Sequence, residues 1–343
     1  VQGSDVVAHS AGILDIKTNI LSNADALFLT AIDPYGHELW RWTFPVNKLN
    51  QQTEQLSPLS SRPTYTETEN ELTVKANKRT FIFSKKDGQL KGVSVDNRKI
   101  NFANGPRFIG ARRADRSLDQ FYNHDDEKAK EKDRTYSEFP DAAVFTKLDV
   151  KEDGGNLVVT ANYKLGNLDK AQWTINPSGE LALDYTYNFS GVVDLMGIRF
   201  DYPEDQVISK RWLGAGPYRV WQNRIHGTQY DIWENDYNDP IPGETFTYPE
   251  FKGYFGNVSW MNIQTKEGTI SLTNEAPDAY IGVYQPRDGR DRLLYTLPES
   301  GISVLNVIPP VRNKVNSTDL CGPSSQPKWV NGPQTGRVIF RFM

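Results

Sequence analysis

The chain is predicted to be all-β, built mainly from two large antiparallel sheets packed face to face. Three observations carry this. Short runs of β-branched and aromatic residues alternate at period two through most of the 343 residues. Turn signals of the Asp-Gly type punctuate those runs, and helical periodicity is scarce. Period-two alternation puts every second side chain on one face of a strand, so each run buries one face and wets the other, as sandwich strands must.

In chain order, the runs are Ala26 to Ile32, Leu72 to Lys75, Arg79 to Ser84, Leu157 to Tyr163, Leu181 to Phe189, Thr269 to Thr273, Tyr280 to Tyr284 and Arg337 to Phe342. Between them, Asp87-Gly88, Asp153-Gly154-Gly155, Pro177-Ser178-Gly179 and Asp288-Gly289 supply the positive φ that hairpins need. Asp125 to Arg134 alternates acids and bases without an apolar stripe, which predicts a solvated helix or loop. Residues 51–64, rich in Gln, Ser and Thr with two prolines, read as a linker. The expected organisation is therefore residues 1–50 as the C-terminal part of a β-sandwich, 51–64 as linker and 65–343 as the large body. Fifty residues hold too few strands to close a sandwich alone and would leave an open edge.

Composition narrows the function. The net charge of −4 with 24% charged residues gives no nucleic-acid footprint, and no apolar run reaches the roughly eighteen residues of a membrane helix. Neither a nucleic-acid nor a membrane partner is expected. The lone Cys321 excludes an internal disulfide framework and a paired-thiol metal site. Val1 is not Met, which fits a processed terminus or a piece of a longer protein.

Aromatic residues concentrate between Trp212 and Trp260, where twelve occur, about twice the 12% background of the chain. Flat rings flanked by amides and charges suit saccharides, which offer C–H faces and rings of hydroxyls. Asn223, Arg224, Asp231, Glu234, Asn235 and Asp236 supply that polar flank. The competing reading for each ring is core of a β-sandwich, because Trp and Tyr are common on half-buried pleated surfaces.

The spacing of these residues also resembles a known family. Trp212-Leu213-Gly214-Ala215-Gly216-Pro217, then Trp221, Arg224, Tyr248-Pro249-Glu250 and Gly253, is similar to the small-chain domain of β-galactosidase-like family 2 glycoside hydrolases. Upstream, Gly36-His37-Glu38 with Trp40, Trp42 and Phe44 resembles the last strand of the sandwich preceding that domain. Asn77 to Phe83, followed by Asp87-Gly88-Gln89-Leu90, resembles its opening hairpin. The resemblance implies a galactose-mutarotase-like supersandwich after the end of an immunoglobulin-like sandwich. It also implies a carbohydrate partner and a catalytic TIM barrel elsewhere in the same parent protein, and, by analogy, a periplasmic or extracellular location. One departure bears on specificity: Gly301 to Val307 carries Val304 where the β-galactosidase branch has a sugar-platform tryptophan.

Glycoside hydrolysis needs two facing carboxyl groups, and in the resembled family both lie in the barrel. No alternation of strand and helix here could build one, so no catalytic residue is assigned. The expected carbohydrate-binding residues are Trp212, Trp221, Arg224, Trp233, Tyr248 and Glu250. An alternative is a free-standing binding module using Trp212, Trp221, Trp233 and Tyr248. Another is a sugar epimerase with His226 and Glu250 as an acid/base pair. Of the other histidines, His9 lies near the start, His37 in a turn and His124 beside Asp125. Asp125-Asp126-Glu127 could supply oxygen ligands, but consecutive carboxylates diverge and lysines follow at once, so no metal is expected. Gly214 to Pro217 lacks the Gly-Lys-Ser/Thr ending of a phosphate loop, and no cofactor is expected. Its glycines are expected to let Trp212 and Trp221 approach from both sides.

Overall fold

The computed structural model describes residues 6–16, 24, 26–46, 61–113, 136–236, 253–276, 278–283, 298, 300–311 and 322–343. The chain divides into two compact units, Val1–Glu54 and Gln55–Met343. Expectations for Asp125 to Arg134, Asp288-Gly289, His124, Tyr284 and Cys321, and for most of the linker, lie outside the described residues.

In the first unit, β1 (Ala26–Ile32) pairs antiparallel with β2 (Glu38–Pro45). Asp33 makes the turn between them. Its Oδ1 accepts the N–H groups of Tyr35 at 2.9 Å and His37 at 2.8 Å, and its Oδ2 lies 3.0 Å from His37 Nδ1. These contacts, the His37 backbone bond foremost, hold the Asp33 carboxyl below its ordinary range. Leu27, Leu29 and Ala31 lie opposite Phe44, Trp42 and Trp40, so one face is wholly apolar. Trp40, Trp42 and Phe44 remain 52%, 47% and 49% exposed, because two strands cannot enclose a core.

The second unit runs β3 (Thr64–Glu67), β4 (Glu71–Ala76), β5 (Arg79–Ser84), β6 (Leu90–Val95), β7 (Arg98–Ile100), β8 (Ala103–Arg113), β9 (Tyr136–Glu138), β10 (Val144–Asp153) and β11 (Asn156–Lys164). It continues with β12 (Leu168–Ile175), β13 (Leu181–Val193), β14 (Leu195–Asp201), β15 (Val207–Gly216), β16 (Gln229–Asp236), β17 (Trp260–Thr265), β18 (Gly268–Asn274), β19 (Tyr280–Val283), β20 (Ile302–Val307) and β21 (Lys328–Phe342). No α-helix occurs among the described residues, and none there is long and apolar enough to cross a membrane.

These strands form a nine-stranded sheet, β10-β11-β12-β13-β21-β18-β17-β15-β16, and a ten-stranded sheet, β19-β20-β14-β8-β6-β5-β4-β3, with β7 on β6 and β9 on β8. Every named strand pair is antiparallel. The two sheets bury one shared core, in which Trp173 of the first meets Phe200 of the second edge to face at 6.0 Å. Buried Arg79 on β5 fastens the layers, its Nε donating to Phe342 O at 3.0 Å and its Nη1 to Ser178 O at 3.4 Å. The fold class is thus the one expected: all-β, with two large antiparallel sheets face to face.

Strands β1 and β5 span the residues that alternation marks, and β4, β11, β13 and β18 extend those runs by a few residues at one or both ends. β14 (Leu195–Asp201) and β20 (Ile302–Val307) are among the strands that alternation did not mark, as are β6, β8, β10, β12, β15, β16 and β17. β14 and β20 have neighbours on both sides in the ten-stranded sheet, where little of their surface is left to water and the sequence hardly alternates.

Candidate functional site

The aromatic patch begins on β15, whose far end presents Trp212. That ring is fully buried in the shared core, meets Phe255 edge to face at 4.8 Å, and donates from Nε1 to Ala215 O at 3.0 Å. Its polar atom and its faces are therefore engaged by the protein itself. Trp233 stands opposite on β16, the end strand of the nine-stranded sheet. It is half-buried, packs against the shared core, and donates from Nε1 to Gln229 O at 3.2 Å.

Trp221 belongs to a different core. Along the outer face of the ten-stranded sheet, the register stacks side chains in cross-strand rows. Ala111 lies opposite Leu195, then Ile109 opposite Gly197 and Leu305, then Arg107 opposite Arg199 and Ser303. The first two rows are apolar. Val220, Trp221 and Tyr254 cover them and form a second buried cluster with Ile308 and Val311. Trp221 is 2% exposed and meets Tyr254 edge to face at 5.7 Å. The two tryptophans of the motif therefore hold two separate cores.

The glycines serve other neighbours than those expected of them. A β-carbon at Gly216 would lie 2.3 Å from Trp233 Cδ1, and one at Gly214 would lie 3.0 Å from Val258 Cα. The space beside Trp221 is instead left by Gly253, where a β-carbon would come within 2.9 Å of the indole. The expectation that Gly214 and Gly216 let Trp212 and Trp221 close on one passage is corrected accordingly. Gly216 thus makes room for Trp233 and Gly253 for Trp221.

Part of the polar flank is structural. Asn223 Nδ2 donates to Val311 O at 2.8 Å while its Oδ1 accepts Val311 N–H at 2.8 Å, a reciprocal clip on the backbone. Gln222 Nε2 donates to Gln326 O at 2.8 Å. Together they pin the 221–224 turn, in which Arg224 N–H donates to Trp221 O at 2.8 Å. Arg224 is exposed, as is His226. Buried Arg219, which the aromatic pattern did not single out, sets its guanidinium 5.3 Å from the Phe255 ring centroid. Val304 faces inward into the shared core, so that position is packing rather than platform. Tyr248 and Glu250, and with Glu250 the His226 pairing, lie outside the described residues.

Of the six expected carbohydrate-binding residues, Trp212 and Trp233 are thus brought together across one strand pair, and Trp221 and Arg224 across one turn. Trp233 and Arg224 are the two with accessible side-chain surface among those described. No group of three or more His, Cys, Asp or Glu side chains that could hold a metal occurs among the described residues.

The next row on the same outer face is polar, and sequence reading did not find it. Arg107 and Arg199 stand directly opposite each other. Arg107 pairs with Asp201, and Arg199 Nη2 lies 3.9 Å from Glu138 Oε1. Burial, with the facing Arg107 guanidinium next, pulls the Arg199 pKa below its ordinary value. Asp141 accepts the Phe108 N–H at 3.1 Å, and burial raises its pKa despite that bond. The signal available was Arg199-Phe200-Asp201, charge alternating with an inward ring at strand period.

An all-β sandwich of this size, with one core between its sheets and a second on the outer face of the ten-stranded sheet, defines a class of β-supersandwich domains. Residues 75–309 match the family described as beta galactosidase small chain, and the chain belongs to that family. No curated protein sequence matches it. Solved structures similar to it include galactose 1-epimerase from Lactobacillus acidophilus, at 10% identity over 82% of this chain and 99% of the epimerase, with a TM-score of 0.45. An aldose epimerase homologue from C. elegans shares 8% identity over 82% of this chain and 99% of its own, with a TM-score of 0.38.

Proposed function

We propose that this chain is the C-terminal, non-catalytic region of a β-galactosidase-like family 2 glycoside hydrolase. In this reading it braces a catalytic TIM barrel of the same parent protein and shapes one wall of the carbohydrate site. The observation that carries it is how the family motif is used. Trp212 and Trp221 are locked into two separate cores, while Trp233 and Arg224 keep accessible surface. Such a wall is rigid and presents few polar groups, which suits positioning rather than proton transfer. The apolar face of the β1–β2 hairpin supports a further polypeptide partner, because an apolar hairpin face left exposed is costly in water. A periplasmic or extracellular location goes with this reading by analogy.

The test is an assay of the isolated chain on nitrophenyl β-galactoside and related glycosides. No turnover above the blank is expected. Turnover abolished by His226→Ala would place the chemistry in this chain and overturn the proposal.

A second reading, a carbohydrate-binding module, is favoured by one observation: Trp233 is half-buried on an end strand beside Asp231 and Glu234. Calorimetric binding of galactose by the isolated chain, lost in Trp233→Ala, would select it over the bracing role.

A further inference from the structure

Beyond the polar row on the outer face of the ten-stranded sheet opens a cavity of about 510 Å³, within the size range of small-ligand sites. Its lining includes Lys91, Lys99, Arg199, Asp201, Asn101 and Asn104, and Gly301 lies at its edge of the sheet. It lies toward the opposite end of β8, β14 and β20 from Trp221, since Ala103, Asp201 and Gly301 mark one end of these strands and Ala111, Leu195 and Val307 the other.

The charge distribution decides what it can take. Three cations line the cavity against one carboxylate, in a chain whose net charge is −4. That carboxylate, Asp201, is already engaged by Arg107 and by Asn104 Nδ2 at 2.9 Å. The amide of Asn101 donates to Glu267, and Asn104 Oδ1 accepts from Lys91 at 3.3 Å. The counter-ions of Lys91 and Arg199, Asp87 at 2.8 Å and Glu138 at 3.9 Å, lie outside the lining. Lys99 pairs with no carboxylate among the described residues. Arg199 stands directly opposite Arg107, and the carboxylates of Asp201, Glu138 and Asp141 already offset that like-charge pair, which leaves Lys99 as the cation that an added anion would serve.

The backbone around the cavity is fixed at some cost. Asn104 takes φ +53°, in the left-handed region that is strained for a residue with a β-carbon, whereas Gly301 takes φ +55° without that strain. A β-carbon at Gly301 would lie 2.2 Å from Phe200 O, so the chain passes there only without a side chain.

We propose that this cavity binds an anionic group carried by a saccharide, the anion held by Lys99, Lys91 and Arg199 and the hydroxyls by the polar wall. The saccharide half of this rests on the carbohydrate reading above; the anion half stands on the cavity alone. A uronate carboxylate and a phosphate ester share the chemistry, and a titration separates them.

The full chain is titrated calorimetrically with D-galacturonate, D-galactose and inorganic phosphate, at low salt and at physiological salt. The wild type is compared with Lys99→Ala, Lys91→Ala and Trp233→Ala. Expected is binding of galacturonate in preference to galactose, weakened by salt, weakened about tenfold in Lys99→Ala and unchanged in Trp233→Ala. Phosphate binding with the same lysine dependence, and none of galacturonate, keeps the anion site and assigns it to an ester group. Absence of heat with both anions overturns the proposal, as does anion binding that both lysine variants leave intact. Galactose binding lost only in Trp233→Ala, without anion binding, overturns it while leaving the carbohydrate reading in place.

Discussion

The indole of Trp233 lies against the backbone of Gly216, so close that a β-carbon there would sit 2.3 Å from its Cδ1. The ring takes the place of the missing side chain, as aromatics do over strand glycines. Gly216→Ala should displace the indole and cost about 1–3 kcal/mol in denaturant unfolding. Combined with Trp233→Ala, the cost of the alanine at 216 should largely vanish. Additive costs in that double-mutant cycle would show that the contact is not coupled.

Trp212 and Trp221 should matter for stability first. Each is buried and packed edge to face, so Trp212→Ala and Trp221→Ala should each cost about 3–5 kcal/mol, measured by urea unfolding. A variant of either that lost less than about 1 kcal/mol would contradict the burial described here.

Neighbouring tyrosines on β13 should respond oppositely to loss of their hydroxyls. Tyr187 Oη donates to Asn306 Oδ1 at 2.6 Å, whereas Tyr185 Oη is buried with no hydrogen-bond partner among the described residues. Tyr187→Phe should destabilise by about 0.5–1.5 kcal/mol, while Tyr185→Phe should be neutral or stabilising. Equal losses from the two would refute the assignment.

Alkaline pH should unfold the large unit through the same groups. Burial raises the pKa of Tyr163, Tyr185, Tyr187 and Tyr202 above the ordinary tyrosine value of 10.0. A folded-state pKa above the unfolded one contributes stability that is complete below the unfolded value and is lost as pH rises through the folded one. Melting temperature should therefore hold below about pH 10 and fall beyond it. The fall should be shallower in Tyr185→Phe, which removes one such group; an unchanged slope would point to other titrating residues.

Removing the clasp between the sheets should loosen both. Arg79→Ala takes away the bonds to Phe342 O and Ser178 O and leaves those carbonyls near the core. A loss of about 2–3 kcal/mol is expected, with faster amide exchange at the end of β21. Exchange that quickens everywhere except β21 would refute the clasp.

Much of the architecture could be read from residue order. The period-two run Arg79 to Ser84 forms β5 with Phe81 and Phe83 in the shared core, and Asp153-Gly154-Gly155 turns β10 into β11 with Gly154 at φ +58°. Where both faces of a strand are covered, alternation fades, and β14 and β20 escaped notice for that reason. The site was less legible. The run of rings from Trp212 onward drew attention to β15, but Trp and Tyr serve core and sugar alike, and composition does not distinguish the two uses.

What the residue order by itself determined is the strand-and-turn grammar and the family, because period, glycine placement and motif spacing are local properties of the chain. Only the tertiary structure decided which face each ring occupies. The cross-strand register put Trp212 between the sheets, and the 221–224 turn laid Trp221 against the outer face of one of them, although only eight residues lie between the two. The register also set Arg107 against Arg199 from strands ninety residues apart. Such pairings depend on how distant strands align, and a one-residue slip would turn every one of those side chains to the opposite face.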